Sequence, residues 1–247
     1  MTAHAAIVVI PAYNEGATIR TVVQRALAYG PVIVVDDGST DDTVGQLGGL
    51  AVAVLRNEHN SGKAFSLWRG MQHALSMGTD AVITLDGDGQ HAPEDIPRLL
   101  SVARRLPRTV VIAARLRARH NAPWARRIAN SVADFWISWA AGQSIADSQS
   151  GFRYYPADLL RSYTPRLHRS HGFVFESEIL IDAVRTGFAC VAVPIDTVYH
   201  AAARPSHFRP VADIAPIVSM VTGKLLARGL YLQGLWRVWR EPAHIEQ

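Results

Sequence analysis

Cysteine is almost missing from this chain: Cys190 is the only one in 247 residues. An intrachain disulfide is therefore excluded, and a reducing compartment is permitted. Cys190 sits in the apolar run Phe188 to Val193, which favours core packing over chemistry. Lysine is nearly as scarce. Only Lys63 and Lys224 are lysines, and the remaining basic residues are arginines, the better bidentate phosphate ligands. No run of about 18 apolar residues occurs, so no spanning helix is expected. The first apolar run has no basic region before it and is too short for a signal peptide. The expected location is cytoplasmic, with a peripheral place on the cytoplasmic face of a membrane left open. The glycine signature Gly-x-Gly-x-x-Gly is absent after the first apolar run, which argues against a nicotinamide or flavin dehydrogenase. Asn60-Ser61-Gly62-Lys63-Ala64 lacks both the leading glycine and the Ser/Thr of a P-loop. The acidic alternation from Asp86 stops at Gln90, with no glutamate at the twelfth position, which excludes an EF-hand. No nucleic-acid partner is expected.

What is present is apolar and unevenly charged. At 49% hydrophobic, the chain can bury one sizeable core. A single domain over 1–247 is expected, in two halves (1–115 and 116–247), the second carrying amphipathic helices. Residues 1–100 hold 6 basic against 11 acidic residues, while residues 101–247 hold 19 against 10. The acidic half suits a cation; the basic half suits phosphates or an anionic membrane surface.

Apolar runs at 5–10, 32–35, 51–55, 81–85 and 109–114 read as strands, and helical stripes lie between them at 17–29, 64–77 and 93–105. Thr43 to Leu47 begins a further short helix. This alternation predicts an α/β fold, a mostly parallel sheet with helices on both faces. Helices are also expected at 122–141, 176–185 and 211–228, with apolar stretches at 189–193 and 195–199 and a polar tail. The 122–141 helix carries Ile128, Val132, Phe135, Trp136 and Trp139 on one face and Arg127, Asn130 and Asp134 on the other. Packing of such stripes on the sheet is the ordinary reading; tryptophan beside arginine raises membrane contact as the other.

Three strands end in polar loops: Tyr13-Asn14-Glu15, Asp36-Asp37-Gly38-Ser39 and Asp86-Gly87-Asp88. In a parallel sheet these tips share one edge and should converge on one crevice, where a nucleoside fits. Asp36 can accept from base or ribose, while Pro11 and Tyr13 wall the base. Asp86 and Asp88, one residue apart, can turn toward one Mg²⁺ or Mn²⁺, with Gln90 as a third oxygen. Lys63, at a helix start, is a phosphate or carboxylate partner. A polar turn made by Asp86 and Gly87 is the plain alternative.

Taken together, these motifs resemble the inverting GT-A glycosyltransferases of family 2, most closely the dolichyl- and polyprenyl-phosphate mannosyl- or glucosyltransferases. The resemblance is carried by Ile10 to Glu15, Val35 to Thr43, Asn60-x-Gly62-Lys63, Asp86 to His91 with Pro93-Glu94, and Asp147 to Arg153, and more loosely by Phe175-Glu176 and Ser206 to Arg209. It implies a GT-A fold, a GDP- or UDP-sugar donor, and a lipid-phosphate or saccharide acceptor. Pro11, Tyr13, Asn14, Glu15, Asp36, Asp37, Ser39, Lys63 and Asp86 would bind the donor. Asp86, Asp88 and Gln90 would hold the metal. Arg115, Arg127 and Arg153 would engage donor pyrophosphate or acceptor phosphate, and Arg209 would close over the donor. Asp147 and Glu176 are the fallback bases for a hydroxyl acceptor. The membrane-embedded branch adds spanning helices after this region, whereas here an amphipathic helix and a polar tail are expected. A nucleotidyltransferase would open with a basic glycine-rich loop, and Pro11 to Gly16 has no basic residue. A silent nucleotide-sugar-binding protein is the rival from another class.

Overall fold

The computed structural model describes residues 6–116, 124–165, 172–196 and 210–246. Seven strands form one sheet: β1 (Ile7–Ala12), β2 (Val32–Asp36), β3 (Ala53–Arg56), β4 (Ala81–Thr84), β5 (Thr109–Ala114), β6 (Arg153–Pro156) and β7 (Ala189–Pro194). Their spatial order is β3-β2-β1-β4-β6-β5-β7. All neighbours are parallel except β6, which runs antiparallel to both β4 and β5.

Successive side chains of a strand point to opposite faces, and the two cores follow that period. Val8 and Ile10 pack with Ile19, Val22 and Val23 of α1 (Ile19–Ala26) and with Ile96, Leu99 and Val102 of α3 (Ile96–Arg105). Ile7 and Val9 face the other way, onto Leu67 and Met71 of α2 (Lys63–Ser76). That second core takes in Ile137 and Ala140 of α4 (Trp124–Ala141), Leu159 and Leu160 of α5 (Ala157–Ser162), Ile179 and Leu180 of α6 (Gly172–Arg185), and Ile217, Val221 and Leu225 of α7 (Pro210–Leu226). The central strands are buried on both faces, which is why they read as unbroken apolar runs. β3 is instead an edge strand with mostly exposed side chains, and it starts two residues later than its apolar run.

Several expectations change. β1 continues through Pro11 to Ala12, because proline lacks only a donor and the strand still pairs in register with β2. The segment after the Asp147 loop is a strand, β6, followed by α5; neither was visible in the apolar pattern. Beyond Arg228 the chain forms a tight turn (Gly229–Tyr231) and then α8 (Leu232–Arg240) rather than a polar tail. Residues 244–246 bridge to β7 through Ala192 N to His244 O (2.9 Å) and Glu246 N to Ala192 O (2.9 Å). Ile195–Asp196 is not strand, and the rest of the stretch to 199 lies outside the described residues. α4 does not rest on its predicted stripe: Ile137, Ser138, Ala140 and Ala141 are buried, while Ile128, Val132, Phe135 and Trp136 are exposed.

Candidate active site

β1, β2 and β4 are adjacent and parallel, so their carboxyl ends share one rim. β6 is antiparallel and contributes its beginning there, since Arg153 stands opposite Thr84. The tips after strands one, two and four therefore meet the loop 147–152 at a single edge.

The first two tips are stitched to each other. Asn14 N donates to Ser39 Oγ (2.8 Å), Thr40 N to Asn14 Oδ1 (2.8 Å), and Glu15 N to Thr43 Oγ1 (2.8 Å). Asn14 takes a left-handed backbone (φ 56°), a conformation asparagine tolerates better than most residues. The third tip joins through Thr18, whose hydroxyl donates to Gly87 O (2.7 Å). Asp37 accepts from Asn57 Nδ2 (2.7 Å), Ser61 N (2.9 Å) and Gly62 N (2.8 Å), which fixes the turn into α2 and hence Lys63. Asn14, Asp37 and Ser39 thus build the rim, each bonded to a neighbouring loop. Pro11 is half-buried and Tyr13 exposed at the same rim.

Asp36 differs. It is fully buried, and its Oδ1 accepts from Ser39 N (3.2 Å). Its Oδ2 accepts no hydrogen bond, although Nε of the exposed Arg56 lies 3.2 Å away. A buried carboxylate oxygen short of a donor is costly unless something supplies one.

At the end of β4, Lys63 Nζ lies 2.7 Å from Asp86 Oδ1 and 3.3 Å from Glu176 Oε2. Burial works against the Lys63 charge, but Asp86 and Glu176 outweigh it and raise its pKa. Burial likewise opposes ionisation of Asp86, and Lys63, with His91 and Arg115, pulls its pKa below the ordinary value. Asp88 goes the other way. Burial raises its pKa, and the charge on Asp86 raises it further. Gln90 N caps Asp88 Oδ1 (2.9 Å), leaving the Gln90 side chain without a hydrogen bond among the described residues. His91 is buried with Nδ1 unpartnered, and burial pushes its pKa down to about 4. Gly151 must be glycine: a Cβ there would lie 2.5 Å from Asp86 Oδ2 and 3.0 Å from Lys63 Nζ.

A divalent cation fits this turn. Burial first, and the Asp86 charge second, make Asp88 reluctant to ionise, and a cation would offset both. Among the described residues no group of three His, Cys, Asp or Glu could hold a metal alone. Two carboxylates and an amide suit a Mg²⁺-type ion that shares its shell with phosphate and water.

On the acceptor side, Arg115 clasps Asp147 with Nε to Oδ2 (2.9 Å), Nη2 to Oδ1 (2.7 Å) and its own backbone N to Oδ2 (2.7 Å). Burial would raise the Asp147 pKa, but the Arg115 hydrogen bonds and charge hold it below the usual range. Asp147 is thus held ionised against Arg115. Arg153 is 0% exposed, and its guanidinium donates to Ser150 O (2.6 Å), Tyr155 Oη (3.0 Å), Glu176 O (2.5 Å) and Ser148 O (2.7 Å), so it organises the loop. Arg127 is exposed near the start of α4 and joins none of the hydrogen bonds around Asp88. Arg209 lies outside the described residues.

Two contributors went unassigned in the sequence. Arg56 ends β3 at the same rim, so the strand-end rule applied to β3 would have found it. Asp134, on α4, accepts from Ser148 N (2.8 Å) and Ser148 Oγ (2.6 Å); nothing in its local pattern signals that partner.

Polar tips gathered at the carboxyl ends of parallel strands are where an open α/β sheet holds its ligand. Residues 7–170 match the family described as Glycosyl transferase family 2, and the chain belongs to it. It is 30% identical over 213 residues to the UDP-N-acetylglucosamine–dolichyl-phosphate N-acetylglucosaminyltransferase of Methanococcus voltae, covering 77% of this chain and 84% of that one. It is 30% identical over 208 residues to the polyprenol monophosphomannose synthase of Mycolicibacterium smegmatis, 76% of each chain. Among solved structures it resembles glucosyl-3-phosphoglycerate synthase from Mycobacterium tuberculosis in complex with Mn²⁺, UDP and phosphoglyceric acid. That match has a TM-score of 0.68 at 22% identity, over 92% of this chain and 78% of that one. The fold is GT-A, and the protein is a glycosyltransferase family enzyme.

Proposed function

We propose that this protein moves a sugar, with inversion, from a nucleoside-diphosphate sugar to the phosphate of a polyprenyl lipid, with Mg²⁺ or Mn²⁺ as cofactor. The acceptor class rests on one observation. Both carboxylates considered as general bases are neutralised by cations: Glu176 by Lys63 (3.3 Å) and Asp147 by Arg115 (2.7 Å). A hydroxyl acceptor needs a base to take its proton, whereas a phosphate oxygen is already anionic at neutral pH. The dolichyl-phosphate acceptor in the name of the Methanococcus voltae relative points the same way.

Asp36 and its open Oδ2 take a donor group from the base or ribose once Arg56 swings aside, and Tyr13 with Pro11 walls the nucleoside. Asp88, with Asp86 and Gln90, holds the cation, which when bound takes up charge developing on the departing diphosphate. Lys63 keeps Asp86 ionised and in place. Arg115, fixed by Asp147, adds a positive charge on the acceptor side, where the phosphate oxygen attacks the anomeric carbon from the face opposite the diphosphate. The enzyme works peripherally at the membrane; no helix among the described residues is long and apolar enough to cross one.

The test is a transfer assay with UDP- and GDP-sugars and a short-chain polyprenyl phosphate, in EDTA and then with added Mn²⁺ or Mg²⁺. Lipid-linked sugar that forms only with metal is expected. Undiminished transfer in EDTA would overturn the cofactor. Transfer to soluble saccharides but never to the lipid phosphate would overturn the acceptor.

A further inference from the structure

α4 and α8 are built inside out for a soluble surface. Leu232, Trp236 and Trp239 recur at the i, i+4, i+7 spacing of one helical face, yet they are 66%, 57% and 86% exposed. The opposite side of α8 carries Gly234, where a Cβ would collide with the Tyr231 ring and lie 2.9 Å from Trp139 O. On α4 the polar residues Asp134 and Ser138 turn inward, to Ser148 and Ile145, while Ile128, Val132 and Phe135 face solvent. Trp136 and Trp139 stack at 5.1 Å, and Trp139 Nε1 donates to Leu230 O (3.0 Å), joining the α4 stripe to the turn before α8.

The patch is bordered mostly by positive charge, with the exposed Glu241 at the end of α8 as the one acid. Arg228, Arg237 and Arg240 are exposed, and the Arg240 guanidinium lies 4.4 Å from the Trp236 ring centroid. α8 contains no acidic residue, and the one acid of α4, Asp134, points inward.

We propose that this joint face of α4 and α8 is where the protein lies on an anionic lipid surface, its tryptophans at headgroup depth and its arginines on lipid phosphates. An apolar stripe with tryptophan, flanked by arginine and free of acid, has the composition of an in-plane membrane helix. Two copies of this chain meeting through the same patch would set three arginines of each against their counterparts, with Glu241 alone to offset them. The face is also fixed in place. Ser144 Oγ donates to Glu241 O (2.5 Å) at the end of α8, and residues 244–246 pair with β7, so the helix is held against the body. Through Asp134 the inner side of α4 holds Ser148, next to Asp147 and Arg115, so a docked α4 sets the height of the acceptor-side loop above the lipid. The location of this surface deepens the polyprenyl-phosphate assignment and gives it a docking site.

The experiment uses the full chain and vesicles that contain no polyprenyl phosphate, so its result is independent of the acceptor. Flotation is measured on phosphatidylcholine vesicles with and without about 30% phosphatidylglycerol, at low and high salt. Binding that needs the anionic lipid, weakens with salt and shifts tryptophan emission to the blue is expected. The double variant Trp236→Ser/Trp239→Ser should bind about tenfold more weakly or worse, with unchanged thermal unfolding and unchanged transfer to a water-soluble short-chain acceptor. Wild-type protein that does not float with anionic vesicles, or a variant that floats equally well, would overturn the proposal. So would a wild-type dimer that the double substitution converts to a monomer.

Discussion

Asp88 sits where burial and the neighbouring Asp86 charge both favour its protonated form, and a cation would reverse that preference. The sign of its effect on stability follows. A carboxyl whose pKa is raised on folding contributes fully below its unfolded value, and that contribution is lost as pH rises through the folded value. At pH 7 the ionised Asp88 is therefore a cost to the fold in the absence of metal. Asp88→Asn is expected to unfold at a higher temperature than wild type at pH 7, with the gain shrinking as pH falls toward about 4 and gone below it. The same substitution should lower kcat by about two to three orders of magnitude, because the amide is a weak cation ligand. Calorimetry and a transfer assay on one preparation check both halves. A variant that is both less stable and fully active would contradict this account of the turn.

The loop from Asp147 to Phe152 is held by elements on three sides. Thr84 Oγ1 donates to Gly151 O (2.7 Å), Ser150 Oγ to Ala113 O (2.6 Å), and Ser148 N to Asp134 (2.8 Å). Arg153 closes the arrangement from below. Arg153→Ala would strand the carbonyls of Ser148, Ser150 and Glu176 in a dry interior, and should cost about 3 kcal/mol or more, read as a lowered urea midpoint. A variant with wild-type stability that loses only phosphate affinity would instead restore the ligand role that the sequence suggested. The sequence pattern was legible where burial dictated it. β1, β2, β4 and β5 read as apolar runs because both their faces are covered, and their polar tips share a rim because parallel strands point one way. β6 was not legible: Arg-Tyr-Tyr-Pro becomes a strand by filling a slot between two neighbours, a tertiary cause with no local trace. The stripes of α4 were legible as stripes, but periodicity reports that a face is apolar and not which way it turns. The loop-to-loop bonds of Asn14, Asp37 and Ser39 were not legible, because a residue type that can bind a ligand can equally bind the next loop.

Across the molecule, one sheet carries strands from both ends of the chain, and Cys190 in β7 is buried within it, its thiol pushed up to about 12 by burial. In the native state it should resist Ellman's reagent at pH 8. One thiol per chain should appear on unfolding in urea, at a rate matching the loss of tryptophan fluorescence. Fast labelling of the native protein would mean that the β7 side opens separately from the rest.

The backward run of β6 has a consequence of its own. Every other strand delivers its end to the rim, while β6 delivers its start, so the chain that leaves the sheet at that edge after β5 re-enters it there at Arg153. The segment between Ala114 and Arg153 is in effect a cassette, spliced between two hydrogen-bonded neighbours. Swapping its contents should reshape the rim beside Arg115 and Asp147 and leave the hydrogen bonds between the tips after β1 and β2 as they are.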